Sequence, residues 1–318
     1  MDRLPPELCS EVFERVNWRL PTNYKYTSLS PRNSPLVLCQ VCRHWRHVAV
    51  STPALWCRFQ IFLQAREFPR PGSEPHLDLF RLWLRRSAQT PLTFSFTTIT
   101  PLHPNPRVFT FLSALVEHCA RWQTVEFLVP NVCFPHIRGP MPLLTHATIT
   151  PNRMPNDNEH FRLFDDAPAL TNLLLGDWFM PETIHLPWTQ ITHIEARCMY
   201  DYEFVLLLQF AENLVRFDAA LIDSGGTPPE GSVIAPCLRD LRLSTHADAF
   251  TGWVVNVFTP NLTLPALETF VLVYPAGWLD TEVHCLREVF ERSQCPLKDL
   301  RLTGSDLLDE WFKSLAIH

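Results

Sequence analysis

The chain is 318 residues long, 46% hydrophobic and 19% charged, which excludes a disordered polypeptide and leaves room for a small domain beside a larger one. Its net charge of −6 is unevenly spread. Residues 1–90 carry 13 Lys and Arg against 7 Asp and Glu, and residues 91–318 carry 14 against 26, so nucleic acid is excluded as the main partner of the acidic part. No apolar run approaches the ~20 residues of a membrane span. Asp2, Arg3, Glu7 and Glu11 interrupt the start too often for a secretory signal. The ten cysteines are therefore expected as reduced thiols in the cytoplasm or nucleus.

Residues 5–16 are expected to form a first helix. Pro5 and Pro6 suit its opening turn, where an amide would lack a partner anyway, and Glu7 and Glu11 favour its positive end. Leu8, Val12 and Val16, with Cys9 and Phe13 beside them, make an apolar face. Residues 17–34 break the pattern with Pro21, Asn23, Pro31 and Asn33. Ser34-Pro35 then reads as the cap of a second helix over 35–50. At ~100° per residue, Leu38, Val41, Cys42, Trp45, Val48 and Ala49 share one face of it. Ser51-Thr52-Pro53 opens a short third turn that closes at Leu55-Trp56. Residues 58–90 read as linker and helix.

From residue 91 onward the chain repeats. A degenerate strand is expected at Leu92–Phe96. An apolar-x-x-apolar-x-apolar pattern then recurs at Trp122/Val125/Phe127, Leu144/Ala147/Ile149, Leu170/Leu173/Leu175 and Ile191/Ile194/Ala196. It continues at Leu214/Phe217/Ala219, Leu238/Leu241/Leu243, Leu267/Phe270/Leu272 and Leu297/Leu300/Leu302. Successive copies start 22, 26, 21, 23, 24, 29 and 30 residues apart, near the ~20–29 of a leucine-rich repeat. Pro142, Pro168, Pro236 and Pro265 each precede a copy by two residues, and Pro296 precedes one by a single residue. Such prolines stop the preceding segment and are tolerated where a strand needs no ladder donor. Helical spacing marks Val108–Cys119, Tyr202–Ala211, Ala249–Phe258, Val283–Phe290 and Leu307–Leu315. The expected fold is α/β: a small N-terminal three-helix module over residues 1–57, a linker and helix over 58–90, and a curved leucine-rich-repeat-like solenoid over 91–318. In it, short parallel strands line the concave side and helices the convex side. Strand–helix alternation alone also predicts an ordinary α/β sheet, but eight copies at narrow spacing favour the solenoid. Most copies lack the Asn or Cys that usually follows the third apolar position, which marks a divergent repeat.

Leu4-Pro5-Pro6-Glu7-Leu8, Val12-Phe13, Val41-Cys42-Arg43-His44-Trp45-Arg46, Val48-Ala49 and Leu55-Trp56 together resemble an F-box. The likeness covers about residues 3–57 and is greatest to the F-box-like proteins of fungi, which also carry a long gap between the two halves. It implies docking on the Skp adaptor of an SCF-type ubiquitin ligase, with its cullin and RING subunit. Leu4, Pro5, Glu7, Leu8, Val12 and Phe13 would supply much of the docking surface. Val41, Cys42, Trp45 and Trp56 match the motif as well, although Val41 and Trp45 would equally serve as core between short helices.

Other motifs carry less. Cys39, Cys42, His44 and His47 have the residue types of a zinc site, but on one helix they point to different sides and do not converge on a tetrahedral centre. The 18-residue gap is too long for the turn of a helix-turn-helix. Asp223-Ser224-Gly225-Gly226 sits in a Gly/Pro loop that explains its composition. No nucleophile elbow or phosphate-binding loop is present, so no catalytic residue, metal or cofactor is assigned. The expected function is substrate recognition: the first module holds the adaptor and the repeats hold a target protein, with no membrane or nucleic-acid partner. Alternate strand residues face opposite ways, which nominates Glu126, Thr148, Glu195, Arg197, Asp218, Arg242 and Arg301 as target contacts on the concave face. The acidic balance favours a basic target segment. A leucine-rich-repeat scaffold uncoupled from ubiquitin transfer is the alternative.

Overall fold

A computed structural model describes residues 4–17, 27–30, 32–64, 77–99, 106–153, 159–224, 231–245, 254, 257–258, 262–273 and 280–303. The chain divides into two compact units. One comprises residues 1–153 with 161–170, and the other 154–160 with 171–318.

The first unit opens with helix α1 (Pro6–Asn17), one residue later than its sequence pattern predicts. The helix expected over 35–50 is instead two: a single turn, α2 (Leu38–Val41), and α3 (Arg43–Ser51). Cys42 between them is fully extended, at φ −157° and ψ 171°, and its thiol accepts the Trp45 amide at 3.4 Å. Arg46 Nε donates to the Cys39 carbonyl at 2.7 Å, so side chains satisfy the groups that the break exposes. Ser34 does not cap the helix; the residue before α2 is Val37, which offers no side-chain bond. A 3-10 turn at Pro53–Leu55 then leads to Trp56.

Residues 58–64, expected as linker, form strand β1 (Arg58–Gln64), and α4 (Leu77–Arg86) follows. Then come β2 (Leu92–Ile99), α5 (Pro106–Val116), β3 (Trp122–Val129) and β4 (His146–Pro151). These four strands pair in parallel in the order β1-β2-β3-β4. The register aligns Phe59, Phe94, Val125 and Ala147, and two residues on Ile61, Phe96, Phe127 and Ile149. All eight are buried. Rings fill the space between sheet and helices: Phe59 stacks on Phe94 at 5.5 Å, Phe80 on Phe111 at 5.3 Å, and Trp56 meets Trp83 edge-on at 4.9 Å. The loop before α2 covers the other edge of β1. Ser28 N–H donates to the Gln60 carbonyl at 2.8 Å, and Gln60 N–H donates to the Ser28 hydroxyl at 2.9 Å, which removes an unpaired strand edge.

The second unit holds β5 (Asn172–Leu175), β6 (His193–Tyr200), α6 (Asp201–Phe210), β7 (Arg216–Ile222) and β8 (Asp240–Thr245). It ends with β9 (Thr269–Val273), α7 (Asp280–Ser293) and β10 (Asp299–Thr303). The six strands again pair in parallel and in chain order. Leu173, Ile194, Phe217, Leu241, Phe270 and Leu300 form one row and Leu175, Ala196, Ala219, Leu243, Leu272 and Leu302 another. The apolar period in the sequence is thus the lateral register of the strands.

Two local devices recur at strand starts. Turns close from Leu144 N–H to the Met141 carbonyl, Leu170 to Ala167 and Leu267 to Leu264, at 3.1, 3.1 and 3.3 Å. Pro142, Pro168 and Pro265 occupy the second position of these turns, where a fixed φ is favourable. In the second unit, single carbonyls accept two successive amides of the next strand: Thr171 from Thr192 and His193, Thr192 from Val215 and Arg216, and Val215 from Arg239 and Asp240. Arg239 and Glu268 repeat the arrangement.

A helix does not accompany every strand. The connections after β3 and β5 carry 3-10 turns at Asn131–His136 and Trp188–Gln190, where Pro130, Pro135, Pro181 and Pro187 oppose an α-helix. The expected helix at Leu307–Leu315 lies outside the described residues. Of Ala249–Phe258 only Val254, Val257 and Phe258 are described, all three buried.

At the start of α6, Glu203 accepts the Tyr200 amide at 2.8 Å and Asp201 accepts the Tyr202 amide at 2.9 Å. Burial pushes the Glu203 carboxyl up to about 8; the Tyr200 hydrogen bond opposes that shift, and Glu182 and Asp201 add to it. A folded-state value above the unfolded one means that ionising Glu203 costs stability as pH rises. Glu203→Gln should therefore gain stability over wild type progressively from about pH 4.5 to about pH 8 and hold that gain above it. Urea midpoints across this range would show the trend, and a gain independent of pH would contradict it.

Candidate docking site

Helix α1 carries two apolar stripes rather than one face. Cys9 and Phe13 turn inward and are 4% and 3% exposed. Leu8 and Val12, about 100° around the helix from that pair, are 48% and 53% exposed, and Leu4, just before the helix, is 43% exposed. Phe13 packs on Trp45 of α3 with ring centroids 5.0 Å apart. The Cys9 thiol lies 3.9 Å from His44 Nε2 and 3.8 Å from the Leu4 carbonyl. The inner stripe holds α1 on α3, and the outer one stays about half-exposed.

The second half of the motif divides the same way. Val48, Ala49, Leu55 and Trp56 are buried, and Trp56 is fully enclosed. Its indole N–H donates to the Ala49 carbonyl at 2.8 Å, and the Arg86 guanidinium lies 4.5 Å over its ring. Trp45 is half-buried. Val41 is 56% exposed, and Cys42 and Glu7 are exposed, as is Pro5. The extended residue at 42 rotates Val41 away from the face that Val48 and Ala49 share. Phe13 and Trp56, expected at the adaptor surface together with the exposed residues, thus lie in the interior of the module as it stands. Leu4, Pro5, Glu7, Leu8, Val12, Val41 and Cys42 remain at its surface.

Residues 1–61 match the F-box-like family model. The chain carries an F-box-like domain. No curated protein matches the chain. The F-box-like domain as matched runs past the three helices into β1, and it shares a compact unit with strands β2 to β4. An F-box-like domain is generally a docking module on the Skp adaptor rather than a catalytic centre. No charged pair or nucleophile–base pair occupies the outer stripe.

Among the described residues no group of three His, Cys, Asp or Glu side chains could hold a metal ion. Because Cys42 breaks the helix, Cys39 lies on α2 and His44 and His47 lie on α3, so the four do not share one helix. Burial raises the thiols of Cys39, Cys57, Cys119, Cys285 and Cys295, and pushes Cys198 up to about 11 and Cys133 up to about 12, which keeps them protonated and poorly nucleophilic at neutral pH.

The proposed target contacts all lie on strands. Glu126 and Thr148 are lateral neighbours in the first unit. Glu195, Asp218 and Arg242 form a row in the second that continues through Val271 to Arg301. All are at least partly exposed, on the side opposite the apolar rows. Arg197 sits in the irregular stretch between Ala196 and Met199 where the β6–β7 register shifts.

The two stripes predict different outcomes for like substitutions. Phe13→Ala and Trp56→Ala are each expected to cost ~3–5 kcal/mol, and Leu8→Ala and Val12→Ala no more than ~0.5 kcal/mol, in denaturant titrations of the full chain. Equal losses for both pairs would contradict the division.

Proposed function

We propose that this chain is the substrate-recognition subunit of an SCF-type ubiquitin ligase, its F-box-like domain held on the Skp adaptor and its repeats holding a target protein. The observation that carries the reading is the stripe of Leu4, Leu8 and Val12, left about half-exposed on a module whose inner stripe already closes its core. Covering such side chains is worth on the order of 1 kcal/mol each, and Pro5, Glu7 and Val41 extend the available surface. We read the strands from β2 onward as a divergent leucine-rich repeat, supported by the match between apolar period and strand register and by the recurring proline turns. The rows opposite the core offer a surface for the target.

The mechanism is proximity. The adaptor brings the cullin and RING subunit, and a target bound to the strands is held near a ubiquitin-loaded enzyme at high effective concentration. The chain itself supplies contact and orientation and no chemical step. Its place is the cytoplasm or nucleus, where such ligases meet soluble targets.

Co-purification of the full chain with the Skp adaptor is the test. Wild type should bind, and Leu8→Asp with Val12→Asp should weaken binding about 100-fold or more, since charges then replace buried apolar contacts. The folded chain should persist in both. Leu4→Asp with Pro5→Ala should act in the same direction. Wild-type binding in these variants would refute the surface, and adaptor binding without cullin and RING association would favour a scaffold outside ubiquitin transfer.

A further inference from the structure

Strands β8 and β10 carry the same short sequence. Arg239-Asp240-Leu241-Arg242-Leu243-Ser244 and Lys298-Asp299-Leu300-Arg301-Leu302-Thr303 each read basic, Asp, Leu, Arg, Leu, hydroxyl. Between them β9 brings Val271 and Val273. Val271 pairs with Arg242 on one side and Arg301 on the other, and Val273 with Ser244 and Thr303. All six lie on the side opposite the apolar rows, since alternate strand residues face opposite ways. This part of the face is therefore an apolar midline, with Val273 44% exposed, flanked on each side by an arginine and a hydroxyl.

The two arginines are held alike. Arg242 donates from Nε and Nη2 to the two Asp240 oxygens at 3.0 and 3.2 Å. Arg301 donates from Nε to Asp299 at 3.0 Å, and its Nη2 lies 2.8 Å from the other oxygen. Each Asp thus takes one fork of the guanidinium. Among the described residues no acceptor takes the other fork, formed by Nη1 and Nη2, and the two side chains are 42% and 70% exposed. The cations at the strand starts differ: Lys298 and Arg239 both reach Glu268, at 2.6 and 3.9 Å. Guanidiniums already fixed by a neighbouring carboxylate lose less freedom when a further acceptor arrives.

Their spacing selects the acceptor. Neighbouring strands lie ~4.8 Å apart, so these two arginines rise from backbones ~9.6 Å apart and lean the same way. A polyproline II segment returns to one face every three residues, after ~9.3 Å; an extended β segment does so after ~6.7 Å. A carboxylate meets a guanidinium fork through two parallel hydrogen bonds. Asp240 and Asp299, beside the forks, oppose an incoming dianion more than a single charge, which favours a carboxylate over a phosphate group.

We propose that strands β8 to β10 dock a polyproline II segment of the target protein that bears two glutamates three residues apart, one on Arg242 and one on Arg301, with the chain between them over Val271. The proposal rests on the target-recruiting reading. It replaces, for these strands, the basic target that the net charge predicts, because the open donors here are cationic and oriented while the nearby carboxylates are already engaged.

The test is fluorescence anisotropy of a fluorescein-labelled Gly-Glu-Pro-Pro-Glu-Gly peptide titrated with the full chain. The peptide with Gln for both Glu should bind at least about tenfold more weakly, and Gly-Glu-Pro-Glu-Gly at least about threefold. Arg242→Ala and Arg301→Ala should each weaken binding about tenfold with the urea midpoint of the chain retained. Arg242→Lys and Arg301→Lys, which keep the charge and lose the planar fork, should weaken it severalfold. Arg162→Ala, the same change of charge at an exposed ion pair away from these strands, should stay within about twofold of wild type. The peptide with phosphoserine for both Glu should bind no more tightly than the Glu peptide. The proposal is overturned if the Arg242 and Arg301 variants bind as wild type does, if Gln and Glu peptides bind alike, if Arg162→Ala weakens binding as much, or if the phosphoserine peptide binds more tightly. Adaptor co-purification separates the two readings: a chain that holds the adaptor but not the peptide refutes this docking alone, and one that holds the peptide but not the adaptor refutes the ligase reading.

Discussion

The molecule depends on how Trp56 is held. Its ring meets Trp83 at 4.9 Å, Trp83 meets Phe59 at 6.4 Å, and Phe59 stacks on Phe94 at 5.5 Å. The ring that closes the F-box-like domain therefore belongs to the same interior as the first two strands. Aromatic contacts of this kind add to the free energy of burying the rings, and here they join what would otherwise be a module and a sheet. The domain and strands β1 to β4 form one compact unit for that reason. With the core completed from behind by Phe13, Trp45 and Trp56, α1 is free to present Leu4, Leu8 and Val12 outward.

The sheets follow a second constraint, the lateral register of short parallel strands. Each apolar position pairs with its counterpart in the neighbouring strand, so one side of the sheet is a set of buried rows and the other a set of polar ones. On the polar side of the second unit, neighbouring rows place Arg beside Asp. The net charge of that stretch is thus a poor guide to what the face offers, because opposite charges there compensate locally.

The apolar period of the strands was the most legible part of the chain. The second and third residues of the triplets pair across neighbouring strands of each unit, because lateral stacking turns a sequence period into a register. The F-box-like motif was legible as a motif but not as a surface. Leu8 and Cys9 are equally apolar neighbours in sequence, and only the docking of α1 on α3 decides which turns inward. The break at Cys42 is held by local contacts that an apolar period does not record, Arg46 to the Cys39 carbonyl and the Cys42 thiol to the Trp45 amide. Strand β1 did leave a signal in the alternation of Phe59, Ile61 and Leu63 with Arg58, Gln60 and Gln64, hidden by its position directly after a helical module.

The central claim is that the outer stripe of α1 is an adaptor contact and the inner stripe is core. Amide hydrogen–deuterium exchange of the full chain, with and without the Skp adaptor, measures this directly. The account predicts slowed exchange on adding the adaptor within Pro6–Asn17 and Leu38–Val41, with strands β5 to β10 unchanged. Unaltered exchange in α1 alongside protection of the strands would contradict it.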